Sequence, residues 1–184
     1  MPSNEQGAPR IFAYADPPYP GQSAKHYADH PDYAGEVDHQ QLIERLESEF
    51  DGWLLHTSSS ALIDVLPLCP EGVRVFAWVK PFAAFKRNVS PAYAWEPVIV
   101  KPLRKGEPNQ RPESPVMRDW FSCSITLKKG LTGVKPFEVC QWLFEAVGLQ
   151  PEDEFHDLFP GTGAVQRAHD EWCSLLRAYG EIAA

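Results

Sequence analysis

Tyr14-Ala15-Asp16-Pro17-Pro18-Tyr19-Pro20 directly follows the apolar run Ile11 to Ala15, which reads as a buried strand. Pro17 and Pro18 end that strand, because each lacks an N–H and fixes its φ. Asp16 is therefore predicted at the carboxyl edge of a strand, on a rigid turn, with the Tyr19 ring two residues beyond Pro17. In open α/β sheets that edge is where ligands bind. A carboxylate and the Pro17 carbonyl can together accept both hydrogens of an exocyclic amine, which turns the nitrogen lone pair towards an electrophile. A tyrosine ring can stack on the base that carries the amine. Taken alone, the four residues Asp16 to Tyr19 fit an Asp-Pro turn with a packing tyrosine equally well.

Outward from this stretch, composition sets the frame. The chain has 184 residues, enough for one domain with a substantial core. An apolar share of 43% with six tryptophans argues for a globular fold rather than disorder. No apolar run approaches membrane-spanning length, and Met1 to Arg10 is a polar tail without a signal core. Cys69, Cys123, Cys140 and Cys173 are scattered, as in reduced packing residues of a cytosolic protein, and form neither a zinc pattern nor a disulfide frame. The net charge of −8 argues against a nucleic-acid partner until its distribution is seen. From Lys80 to Lys135, eleven Lys/Arg face four acids, an excess of seven positive charges; elsewhere six face 21, an excess of fifteen negative. A basic segment on an acidic body fits either a phosphate-binding face or a solvated loop.

The periodicity predicts an α/β fold with a mainly parallel sheet. Gly21 to Asp38, with His26 and His30, is polar and aperiodic and reads as a loop that could lie over the site; its histidine spacing matches no metal-ligand pattern. Asp38 caps a helix to about Glu49 whose apolar stripe is Leu42, Ile43, Leu46 and Phe50. Strands follow at Gly52 to Thr57, Val73 to Val79 and Ala94 to Val100, with a helix through Leu62, Val65 and Leu66 stopped by Pro67 or Pro70. The proline-rich stretch Pro102 to Pro115 reads as an insert, and Trp120 to Thr126 as a short strand or an irregular return. Pro136 suits the first position of a helix that Gly148 stops. Glu154 to Gly163 reads as a strand, then a glycine turn, then a helix from Ala164.

Three stretches in this order resemble motifs IV, X and I of the permuted, β-type amino-methyltransferases. They are Asp16-Pro17-Pro18-Tyr19, Lys135-Pro136, and Asp157-Leu158-Phe159-Pro160-Gly161-Thr162-Gly163. The likeness is greatest to small adenine-specific DNA methylases of actinobacterial phages and their hosts. It implies a Rossmann-like class I methyltransferase sheet, permuted and shortened to about five strands, in a single domain over 11–184 after a tail over 1–10. It implies transfer of a methyl group from S-adenosylmethionine (SAM) to the N6 amine of adenine in DNA, with the target base flipped out and no metal. RNA adenine or cytosine-N4 methylation, or a binding protein without turnover, remain alternatives.

The resemblance assigns Asp16, Pro17, Pro18 and Tyr19 to catalysis. It assigns Lys135, Pro136, Asp157, Phe159, Pro160, Gly161, Thr162 and Gly163 to the SAM site. Lys80, Trp95, Glu96, Lys101, Arg104 and Lys105 are candidates for substrate contact, set against core or rim packing, and 101–130 would be a basic target-contacting insert. The expected setting is the cytoplasm of a bacterium, or of the host of a phage. After Ala164 the chain has no room for the family's second and third strands, so one wall of the adenosine pocket would be missing. Asp170, Glu171 or Trp172, or a second copy in a homodimer, could substitute for it.

Overall fold

A computed structural model of the chain describes residues 9–19, 36–81, 89–101, 117–125 and 134–183. The strands are β1 (Ile11–Ala15), β2 (Gly52–His56), β3 (Arg74–Val79), β4 (Trp95–Lys101), β5 (Trp120–Ser122) and β6 (Glu154–Asp157). The helices are α1 (His39–Glu49), α2 (Leu62–Val65), which continues into a 3₁₀ turn over Leu66–Leu68, α3 (Phe137–Val147) and α4 (Ala164–Ala183).

Local chemistry accounts for the boundaries. Asp38 Oδ1 accepts from the Gln40 and Gln41 amides, two of the donors left over at the start of α1. Leu42, Ile43, Leu46 and Phe50 are buried, as their spacing predicts. Pro136 stands at the N-cap of α3, one position before its first helical residue. Gly148 ends α3 at φ 75°, a left-handed conformation that costs glycine no Cβ clash.

The six strands form one sheet in the order β5-β3-β4-β2-β1-β6. Parallel pairing joins β1 to both β2 and β6, with Tyr14 level with Leu54 on one side and Asp157 on the other. β4 runs antiparallel to both β2 and β3. The expectation of a mainly parallel sheet therefore holds except for this strand, whose direction its burial pattern does not encode. β5 pairs parallel to β3 through Ala77 and Trp120. The described part of 101–130 thus adds a strand to the sheet.

Alternation divides the core. Phe12, Tyr14, Leu54, Phe76, Trp78, Val98 and Val100 face α3 and α4, while Ala13, Ala15, Trp53, Leu55 and Ile99 face α1 and α2. No helix among the described residues is long and apolar enough to cross a membrane.

Candidate active site

β1 lies between β2 and β6, and all three end at the same edge. Asp16 follows the last residue of β1, and the buried Pro17 carries the chain away from the sheet. Asp157 closes the neighbouring strand. On the other side β2 ends in His56, and β4 begins at the same edge because it runs the other way. Tyr14, His56 and Glu96 therefore share the α3 face, Tyr14 and His56 at the last inward positions of their strands and Glu96 at the first of β4.

These residues form a continuous polar chain. Tyr14 Oη lies 2.7 Å from His56 Nε2, and His56 Nδ1 lies 2.6 Å from Glu96 Oε1. Lys135 Nζ donates to Glu96 Oε1 at 2.7 Å and pairs with Asp16 Oδ2 at 3.0 Å. Lys80 Nζ donates to Glu96 Oε2 at 2.7 Å. The Trp78 ring walls the site, with Lys80 Nζ 4.4 Å and Lys135 Nζ 5.5 Å from its centroid. An ionised Glu96 accepts from Nδ1–H, which leaves Nε2 to accept from the tyrosine hydroxyl, so the network assigns the Nδ1–H tautomer to His56.

The electrostatics follow from this packing. Burial alone would raise the Glu96 carboxyl, but the Lys135 ammonium, the His56 hydrogen bond and the Lys80 charge hold it well below the usual range. Burial alone would lower Lys135, but the Asp16 and Glu96 carboxylates outweigh that and hold it well above the usual lysine value. Tyr14 is raised mainly by burial, so its hydroxyl keeps its proton. Tyr19 is also raised, first by burial, and lies within electrostatic reach of Lys135, Glu96 and Asp16. Burial pushes the Cys140 thiol up to about 12, so it offers no thiolate nucleophile at neutral pH.

Asp16, His56 and Glu96 bring donor atoms within 4.8 Å of one another, a spacing that a metal ion could use. Here the Lys135 ammonium contacts both carboxylates, and both nitrogens of His56 have protein partners. The charge that a metal would supply is already present as an ammonium.

Asp157 differs from its neighbours. Its Oδ1 accepts from the Phe159 amide at 3.2 Å, while its buried Oδ2 has no partner among the described residues. Burial raises this carboxyl, the Phe159 N–H opposes that, and the Asp16 charge adds to it. The turn that follows holds Gly161 at φ 47° and Gly163 at φ 68° before α4 begins. An unsatisfied buried acceptor beside an open glycine turn suits a ligand that brings an ammonium group.

The structure gathers Asp16, Pro17, Pro18, Tyr19, Lys80, Glu96, Lys135, Pro136 and Asp157 at one edge, with Phe159 to Gly163 following β6 there. Trp95 stands at the same edge and is 38% exposed. Lys101 is at the opposite end of β4, level with Trp53 and paired with Glu47 at 2.7 Å, so it is not brought to the site. Arg104, Lys105 and the loop carrying His26 and His30 lie outside the described residues.

Trp172 is buried against Phe144 and His169, and Asp170 and Glu171 are exposed on α4, about 9 Å or more along the helix from its start. None of the three stands at the glycine turn. Tyr14, His56 and Trp78 were not singled out from the sequence. The signal that could have found them is a polar or aromatic side chain at the last inward position of a strand.

This architecture is an α/β fold with a six-stranded sheet in the described residues. A crystal structure of M1.HpyAVI in complex with SAM matches it with a TM-score of 0.59 and 16% identity, over 89% of this chain and 78% of that one. No family model and no curated protein matches the chain.

Proposed function

We propose that this protein is a SAM-dependent DNA adenine N6-methyltransferase of the permuted type, in which the catalytic stretch precedes the SAM-binding stretch. The observation that carries the reading is the Asp16 carboxylate at the carboxyl edge of β1, one strand from the unpartnered Asp157 Oδ2 and its glycine turn. The likeness to a structure that contains SAM supports the same fold use.

In this reading Asp16 and the Pro17 carbonyl hold the amine, Pro18 stiffens the turn, and Tyr19 stacks on the flipped base. SAM supplies the methyl group. Asp157 accepts from its ammonium, while Phe159, Pro160, Gly161, Thr162 and Gly163 lie against its methionine end and the start of α4 offers N–H groups to its carboxylate. Lys135 and Pro136 border the same end. The nitrogen lone pair forms the new N–C bond as the C–S bond breaks, and that electron pair stays on sulfur. The extra proton on nitrogen leaves to water. In-line placement of donor and acceptor supplies much of the rate.

The basic insert over 101–130 would contact phosphates, with Lys80 and Trp95 at the rim. β6 has no strand on its outer side among the described residues, and a second copy of the chain would cover that edge.

Expression in a bacterium that lacks DNA methylases, followed by modification-sensitive sequencing, tests the reading. Wild type should place methyladenine at a repeated short motif. Asp16→Ala should place none while still binding SAM in calorimetry. Full activity in that variant overturns the assignment, and methyl groups on cytosine or RNA move it to those substrates.

A further inference from the structure

Lys135 poses a problem for a reaction of this kind. Methyl transfer carries one positive charge from sulfur towards the accepting nitrogen, so the carboxylate that holds the amine must remain an effective negative centre. Yet an ammonium sits 3.0 Å from Asp16 Oδ2, buried with a 6% exposed side chain. In a low-dielectric site an ammonium at that range opposes a positive charge arriving nearby. The geometry also contains the remedy. The same ammonium is nearer to Glu96, at 2.7 Å, and Glu96 is fixed from two further sides by His56 at 2.6 Å and Lys80 at 2.7 Å. Asp16, Glu96, Lys135 and Lys80 together carry no net charge, whereas without the Glu96 carboxylate the other three carry one net positive charge.

We propose that Glu96 is a positioning residue for the methyl-transfer step. Held by His56 and, through it, by Tyr14, it shares the Lys135 ammonium and leaves Asp16 its negative charge where the amine becomes cationic. The proposal rests on the methyltransferase reading and adds to it a role for three buried residues that do not touch the substrate. Glu96 thereby has a function other than DNA contact, in keeping with its 7% exposure. Its depressed carboxyl keeps it charged across the neutral range.

The test is steady-state methylation of a DNA fragment at saturating SAM, with SAM affinity measured separately by calorimetry. Glu96→Gln keeps the side-chain shape and removes the charge. Its kcat should fall about 100-fold, the size of loss found when one preorganised electrostatic group is removed from a reacting centre, with SAM affinity unchanged within about threefold. The double variant Glu96→Gln/Lys135→Met returns the network around Asp16 to its wild-type net charge. It should recover kcat about tenfold over Glu96→Gln alone, a coupling of the size that contacting residues show. A merely structural role predicts the reverse, because the double variant loses more of the network.

Should Glu96→Gln melt below the assay temperature, Glu96→Asp carries the test. It retains the charge but withdraws it from Lys135, so its kcat should lie between those of wild type and Asp16→Ala. Wild-type kcat in Glu96→Gln, or in Glu96→Asp where that variant is used, refutes the proposal and leaves the methyltransferase reading standing if Asp16→Ala is inactive. A double variant whose kcat is no higher than that of Glu96→Gln refutes it as well. A wild-type protein that methylates no nucleic acid removes the reading and this proposal with it.

Discussion

Lys135→Met deletes one charge at nearly constant side-chain length, and its cost can be worked from the contacts. The ammonium binds Glu96 at 2.7 Å and Asp16 at 3.0 Å, and Glu96 is 7% exposed. Removing one member of a buried ion pair costs about 3–5 kcal/mol, because the other charge is left unpaired. Glu96 retains His56 and Lys80, and the Asp16 side chain is 26% exposed, so the lower end of that range, about 3 kcal/mol, is expected at pH 7. Urea unfolding followed by tryptophan fluorescence measures it. With a slope of about 2 kcal/mol per molar, the midpoint should fall by about 1.5 M.

The pH dependence has a definite sign. Glu96 is depressed in the folded state, so its contribution is present above the ordinary glutamate value of about 4.3 and is lost as pH falls through the folded one. Without Lys135 the carboxyl rises, and its protonation relieves the unpaired charge. The gap between variant and wild type should therefore narrow as pH falls towards about 4. Lys135 is raised, so its contribution persists up to the ordinary lysine value of about 10.4 and is lost only as pH rises through the folded value. A midpoint shift under about 0.5 M at pH 7, or a gap that widens in acid, would refute this account of the network.

Two further outcomes follow from the SAM side. Asp157→Asn removes a carboxylate that burial raises, so at pH 7 it should leave stability unchanged or increase it by about 1 kcal/mol while weakening SAM binding at least about tenfold. Because the folded value lies above the unfolded one, any gain should disappear below about pH 3.9; thermal melts across pH and calorimetry with SAM read both effects. Gly163→Ala puts a Cβ at φ 68° and 3.2 Å from an Arg167 guanidinium nitrogen that donates to the Thr162 carbonyl. It should cost about 1 kcal/mol, or about 3 °C in Tm, and an unchanged melt would show that the turn relaxes freely.

Much of the fold was legible in local signals. The Asp38 cap, the Leu42/Ile43/Leu46/Phe50 stripe and the Gly148 stop each act within one or two turns of chain, and all appear as read. β1 to β4 were marked by apolar runs, and β6 by the glycine turn that follows it. The direction of β4 was not legible, because an apolar strand looks the same read from either end. Lys101 shows the consequence: it was read as the start of a basic target-contacting segment, and the reversed strand puts it at the far end of the sheet from the site.

By itself the sequence determined where strands end and which chemistry stands there: Asp16 on a proline turn, Asp157 before a glycine turn, and Lys135 before a helix. Such features depend on residues within a few positions of one another. Only the tertiary structure decided that Lys135 joins Asp16 to Glu96, and that His56 and Tyr14 stand behind Glu96. Those partners are 39 to 119 residues apart. They meet because strand order and alternation put separate strand ends on one face. A buried charge is stabilised by whatever the fold brings within hydrogen-bond reach, and no local pattern records that.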